Sequence, residues 1–213
     1  MITVIYEAPR RFFHPLPDVD LRPRLEKRFG LRRDFALFVG TIEPRKNIPT
    51  LLSAFQQLLD HYHPEIDLVL AGAPGWLTDE VRGLVGRLGL TGRVFFLGRV
   101  SDEELVWLYN SARIFVWPSF YEGFGLPPLE AMACGAPVIA SNVSSLPEIV
   151  GDAGLLVDPT NVDELTVAMW RLLSDEALRQ ELIAKGQVRV ARFSWERAAR
   201  ETLELYRRVA GQA

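Results

Sequence analysis

Pro118-Ser119-Phe120-Tyr121-Glu122-Gly123-Phe124-Gly125-Leu126-Pro127-Pro128-Leu129-Glu130-Ala131-Met132-Ala133-Cys134-Gly135 is the stretch around which the rest of the chain is read. The apolar run Ile114-Phe115-Val116-Trp117 before it predicts a buried strand, and Pro127, Pro128 and Glu130 mark the first turn of a helix after it. A strand, a glycine-bearing loop and a helix start follow one another. Gly123 and Gly125 carry no side chain where a ligand approaches the backbone, and a helix start offers unpaired N–H groups at a positive dipole end. That combination suits an anion, above all a phosphate. Because Pro127 and Pro128 lack an N–H, the donors left are Gly123, Phe124, Gly125, Leu126 and Leu129. Two carboxylates, Glu122 and Glu130, bracket the loop.

Outward from that stretch the chain alternates. Phe35 to Val39, Ile66 to Ala71, Val94 to Leu97, Pro137 to Ala140 and Gly154 to Val157 are short apolar runs, as expected of parallel strands covered on both faces. Between them, Ile48 to His61 repeats apolar residues at helical spacing, Leu77 to Leu88 reads as a helix, and Ser101 with Glu104 forms a capping box for a helix to about Ser111. Leu146 to Val150 is a short helix, and three more close the chain: Asn161 to Leu173, Asp175 to about Arg192, and Trp195 to Arg208. Asn47, Ser174 and Ser194 are the expected caps. Such alternation predicts an α/β fold with a doubly wound, Rossmann-like parallel sheet. Residues 34–192 form this domain. Residues 1–33 read as a linker whose first strand, Ile2 to Tyr6, belongs to a preceding domain, and 193–213 as a C-terminal helix packing toward that domain. Ligands of such sheets bind beyond the carboxyl ends of the strands, here the loops 40–47, 72–76, 98–101, 118–126 and 140–146. Gly40, Gly72, Arg45 and Lys46 lie on those loops.

The formal net charge of −3 and the absence of Lys/Arg blocks exclude an electrostatic footprint for nucleic acid or an anionic membrane. Cys134 is the only cysteine and no basic-then-apolar leader opens the chain, so a cytoplasmic location is expected. Cys134 reads as a small buried hydrophobe, with no histidine near in sequence to activate it. His61 and His63 are two apart on a helix, do not share a face, and predict no metal site. No G-x-G-x-x-G follows the first sheet strand and no Walker-type Gly-Lys-Ser/Thr occurs.

Arg45 and Lys46 pair a guanidinium fork with a point charge, the chemistry of a diphosphate clamp. Glu130 is favoured by the helix dipole, and facing the crevice it can also accept from paired ribose hydroxyls. Glu122 repels a neighbouring phosphate unless it is engaged elsewhere, such as on sugar hydroxyls.

These residues resemble the C-terminal, donor-binding half of retaining GT-B nucleotide-sugar glycosyltransferases, the group that includes bacterial mannosyltransferases and glycogen or sucrose synthases. The resemblance covers residues 35 to 208 and rests on Glu122-x7-Glu130, on Gly40-Thr-Ile-Glu-Pro-Arg-Lys-Asn47 and on the Gly98-Arg99-Val100 loop. It implies that Arg45 and Lys46 clamp the diphosphate, Val100 meets the base through its backbone, and Glu130 anchors the ribose. Glu122 and the amides of Gly123, Phe124, Gly125 and Leu126 would hold the transferred sugar and distal phosphate. Many members carry Arg directly after the strand-end glycine, where this chain has Thr41, and Arg45 is its expected substitute. The implied reaction is departure of a nucleoside diphosphate with retention, assisted by cations and a helix end, with no cofactor or metal. GDP-mannose is favoured slightly over a UDP-sugar as donor. The partner is an N-terminal acceptor domain that this chain has no room for, so little transfer is expected from the chain alone, and any membrane association would come through that domain. A nucleotide-sugar 2-epimerase, a binding module without turnover and a structural interaction domain are the competing readings.

Overall fold

Six apolar runs form six parallel strands in the structure, a computed structural model that describes residues 2–211. Residues 1, 212 and 213, the ends of the first and last segments assigned above, lie outside it. The strands are β1 (Asp34–Val39), β2 (Ile66–Ala71), β3 (Val94–Gly98), β4 (Ile114–Trp117), β5 (Val138–Ser141) and β6 (Gly154–Val157). Their order across the sheet is β3-β2-β1-β4-β5-β6. In register, Phe35 of β1 lies opposite Asp67 of β2, and Leu37 lies opposite Phe115 of β4.

The helices are α1 (Arg22–Phe29), α2 (Ile48–Tyr62), α3 (Thr78–Arg87), α4 (Asp102–Ser111), α5 (Leu126–Ala133), α6 (Leu146–Val150), α7 (Val162–Ser174), α8 (Glu176–Val190) and α9 (Trp195–Ala210). From β1 the chain steps outward through α2 and α3, then returns across the sheet through α4 to β4 and steps the other way through α5 and α6. Right-handed crossovers therefore place α2 and α3 on one face and α4, α5 and α6 on the other. The direction reverses between β1 and β4, and that switch point opens a crevice at the carboxyl ends of the strands.

Close strand-end packing fixes the crevice floor. Gly40 N donates to Ala71 O at 2.8 Å and Gly72 N to Gly98 O at 2.8 Å. A Cβ added at Gly72 would lie 2.1 Å from Gly40 O, backbone that cannot turn aside. Gly72→Ala is therefore expected to destabilise the chain by roughly 3 kcal/mol, read as a lower urea midpoint with unchanged slope.

Several expectations are corrected. Ile2 to Tyr6 is not a strand: among the described residues the six-stranded sheet has no place for it. β-Branched residues favour strands only where a ladder partner is available. Instead Tyr6 stacks edge-on to Phe193 with centroids 5.6 Å apart, and Ala8 is buried with Leu129 and Ile149. Farther on, Phe13, Leu21, Leu25 and Leu31 join the main core, so residues 8–31 are folded onto the domain. Asp175, not Ser174, caps α8, its side chain accepting from Leu178 N at 2.9 Å, while the Ser174 hydroxyl donates back to Trp170 O. Ser101 with Glu104 and Ser194 cap as expected.

Candidate functional site

Two loops from opposite sides of the switch point meet in the crevice. After β1, a short 3-10 turn at Pro44–Lys46 carries Arg45 and Lys46 toward the loop that follows β4. Lys46 Nζ lies 2.6 Å from Glu122 Oε1, and Arg45 Nη1 lies 2.9 Å from Glu122 Oε2. Lys46 and Glu122 are only 5% and 8% exposed. The lysine also sits 4.2 Å from the ring centre of Trp117, at the end of β4. Burial lowers the Lys46 pKa, and the hydrogen bond and charge of Glu122 oppose that shift. Arg45 is shared, since its Nε also pairs with Glu43 at 2.6 Å.

Asn47 is the pin between the loops. It takes a left-handed conformation at φ 55°, and its amide donates to Pro118 O at 3.0 Å and Pro159 O at 2.6 Å. The side chain expected to cap α2 makes no cap bond. Two buried carbonyls without another donor compete better for it than a helix end that Ile48 and Pro49 already begin.

The loop ahead of α5 is held from its outer side. Glu122 N donates to Ser144 Oγ, and the Ser145 hydroxyl donates to Glu122 O at 3.1 Å and Phe124 O at 2.6 Å. Among the described residues the amides of Gly123, Phe124, Gly125 and Leu126 donate to no protein acceptor. Four successive free N–H groups thus lead into and open α5, with Gly125 at φ 117° making the turn. Leu129, the fifth donor expected from the sequence, lies inside α5, which begins after Gly125.

Glu130 is not in the first turn of α5. It lies one turn deeper, 8% exposed, and accepts from the Tyr109 hydroxyl at 3.1 Å. Dipole stabilisation therefore does not explain a carboxyl at this place. Burial raises its pKa, while the Tyr109 hydrogen bond and the charge of Arg10 work the other way. Tyr109, fully buried on α4, is a site residue the sequence reading missed; its signal was a tyrosine at a core position, whose hydroxyl requires a partner. Ser144 and Ser145 were also missed, although loop 140–146 was marked as a strand-end loop.

Val100 follows β3 and is half-buried against the core, at the far side of the crevice from β5. Thr41 is exposed on the loop after Gly40. Cys134 is buried, and desolvation pushes its thiol up to about 12, which is the behaviour of a packed thiol and not of a nucleophile. Among the described residues no group of three or more His, Cys, Asp or Glu is placed to hold a metal ion.

A 3-2-1-4-5-6 parallel sheet with Arg45, Lys46, Glu122 and a run of free amides gathered at its switch point is a Rossmann-like domain. The chain belongs to the family Glycosyl transferases group 1, whose profile matches residues 23–189. Among curated relatives it is 45% identical over 193 residues to O-antigen chain mannosyltransferase B of Escherichia coli, covering 91% of this chain and 51% of that protein. Its fold matches sucrose-phosphate synthase from Thermosynechococcus elongatus with a TM-score of 0.84 at 35% identity, over 98% of this chain and 52% of that one. The C-terminal domain of a glycosyl transferase group 1 family protein from Francisella tularensis aligns with a TM-score of 0.75 at 26% identity, over 86% of this chain and 96% of that domain. The chain thus has the architecture of one half of the GT-B fold, and it spans about half the length of the E. coli relative. Among the described residues no helix is long and apolar enough to cross a membrane.

Proposed function

We propose that this chain is the donor-binding half of a retaining, metal-independent glycosyltransferase that moves a hexose from a nucleoside diphosphate sugar to an acceptor. The observation that carries the reading is the convergence, at one switch point, of Arg45 and Lys46 with the four free amides from Gly123 to Leu126. Cations on one side and N–H groups on the other suit the two phosphates of a diphosphate. Glu130, one helical turn below, keeps Oε1 free of protein donors to accept from a ribose hydroxyl, with Val100 toward the base. The chemistry needed is stabilisation of the charge that develops on the departing diphosphate, a task preorganised donors perform without a metal. Glu122 is engaged by Lys46 and Arg45, which argues against its acting as one of a hydrolase's two carboxylates. The similarity to the E. coli O-antigen chain mannosyltransferase favours mannose and hence GDP-mannose as donor.

The acceptor would be held by a second domain not contained in these residues. The exposed Trp195, Leu203, Tyr206 and Val209 of α9 support a contact on that side, and without such a domain transfer should be slow.

Calorimetric titration with GDP, UDP and ADP in EDTA tests the reading. One nucleotide is expected to bind with chelator present and to lose about tenfold or more in affinity in Lys46→Ala. No nucleotide binding by the folded chain, or binding abolished by EDTA, would overturn it.

A further inference from the structure

At the opposite end of the sheet, beneath the amino ends of β1, β4 and β5, lies an open cavity of about 570 Å³. That size is ordinary for a small-molecule site. Its lining is mostly polar and carries five arginines: Arg22, Arg32, Arg33, Arg113 and Arg179. Three carboxylates, Asp20, Glu26 and Asp34, share that lining, and Glu176 beside it pairs with Arg113 and Arg179.

The pairing within the cavity is incomplete. Arg32 is satisfied by Glu26 at 2.9 Å, and Arg33 turns outward to Glu65 at 3.1 Å and to Asp67. Arg113 and Arg179 both reach the same oxygen of Glu176. Two guanidiniums thus share one acceptor, and Arg179, with 11% of its side chain exposed, has a buried Nε that finds no partner. An unpaired, desolvated guanidinium N–H carries a cost that an oxyanion would remove. At the mouth, α1 begins without a side-chain cap, although the Arg22 amide is taken by Asp20 at 3.1 Å.

We propose that this cavity is a second ligand site, separate from the strand-end crevice, that takes a phosphate group through Arg113, Arg179 and Arg22. A planar guanidinium pair sharing one carboxylate is arranged to accept a second, bidentate oxyanion. The phosphate comes from a soluble phosphorylated metabolite or from a lipid headgroup, and the two sources are separable.

The test uses the chain with Arg45→Ala and Lys46→Ala together, so that the crevice clamp is disabled, titrated with inorganic pyrophosphate and inorganic phosphate. Saturable binding of one equivalent is expected, weakened about tenfold by Arg113→Ala and by Arg22→Ala. Both positions reach solvent, so these variants should fold, which a thermal melt checks; Arg179→Gln is the third. Co-sedimentation with phosphatidylglycerol vesicles that pyrophosphate competes away and Arg113→Ala abolishes would assign the group to a lipid headgroup. Pyrophosphate binding without vesicle binding would assign it to a soluble metabolite. No saturable binding up to about 10 mM, or binding equal in folded Arg113→Ala and Arg22→Ala, overturns the site.

Discussion

Glu130→Gln is expected to leave the chain more stable at neutral pH and at the same time weaken nucleotide binding by tenfold or more. Both effects come from one buried carboxyl. Burial is the largest influence on Glu130 and raises its pKa, so the native carboxyl holds its proton to a higher pH than the unfolded one. The sign follows: stability is full below the unfolded carboxylate range, about 4.3, and falls as pH rises through the raised native value. Glutamine keeps the shape and an oxygen for the Tyr109 hydroxyl, but it cannot ionise. Urea melts at pH 4 should therefore nearly coincide for the two proteins. By pH 8 the variant should lead by roughly 0.5–2 kcal/mol, the scale found where a strained functional group is relieved. Hydrogen bonds to a charged acceptor contribute about 1.5–3 kcal/mol, so losing the charge should cost at least tenfold in affinity. A variant that lost stability at every pH and kept full affinity would show Glu130 to be structural.

Most of this fold was legible because local sequence carries the signals of its elements. Apolar runs of four to six residues became strands, helical spacing became α2, and Ser101-Asp-Glu-Glu104 became a capping box. Long-range pairing had no such signal. Lys46 and Glu122 are 76 positions apart, and only the reversal of direction between β1 and β4 brings them together. Where the reading failed, tertiary partners overrode a sound local rule. Asn47 left its helix for two buried carbonyls, and Ile2 to Tyr6, strand-like by composition, found no ladder, with only Tyr6 packing against Phe193 and Phe124. Tyr109 was hidden among the apolar residues of α4, where only its hydroxyl distinguished it from core. Strand-end position, by contrast, pointed to loops that do bring Arg45, Lys46 and Glu122 together, since topology decides which loops can meet.

Glu122→Gln should separate the two halves of the proposed donor. In the free chain this carboxylate and Glu43 face Arg45 and Lys46, so the clamp has no excess charge for an incoming diphosphate. A phosphate must share or displace Glu122. Glutamine removes the competing charge while leaving one oxygen for Lys46, and a nucleoside diphosphate should then bind about three- to tenfold more tightly. The same change removes the acceptor proposed for the sugar hydroxyls, so the nucleotide-sugar should gain nothing, and the ratio of its Kd to that of the diphosphate should rise. Stability should fall by about 1–3 kcal/mol, because one partner of a buried ion pair is neutralised. The pH dependence identifies the cause. Lys46 already has a lowered pKa, and without the opposing charge of Glu122 it falls further, so the native state releases that proton before the unfolded state does. The deficit of the variant should accordingly shrink as pH rises from 7 toward the ordinary lysine value of about 10.4. Weakening of the diphosphate and the nucleotide-sugar by equal factors would mean that Glu122 only braces Lys46, and that another group recognises the sugar.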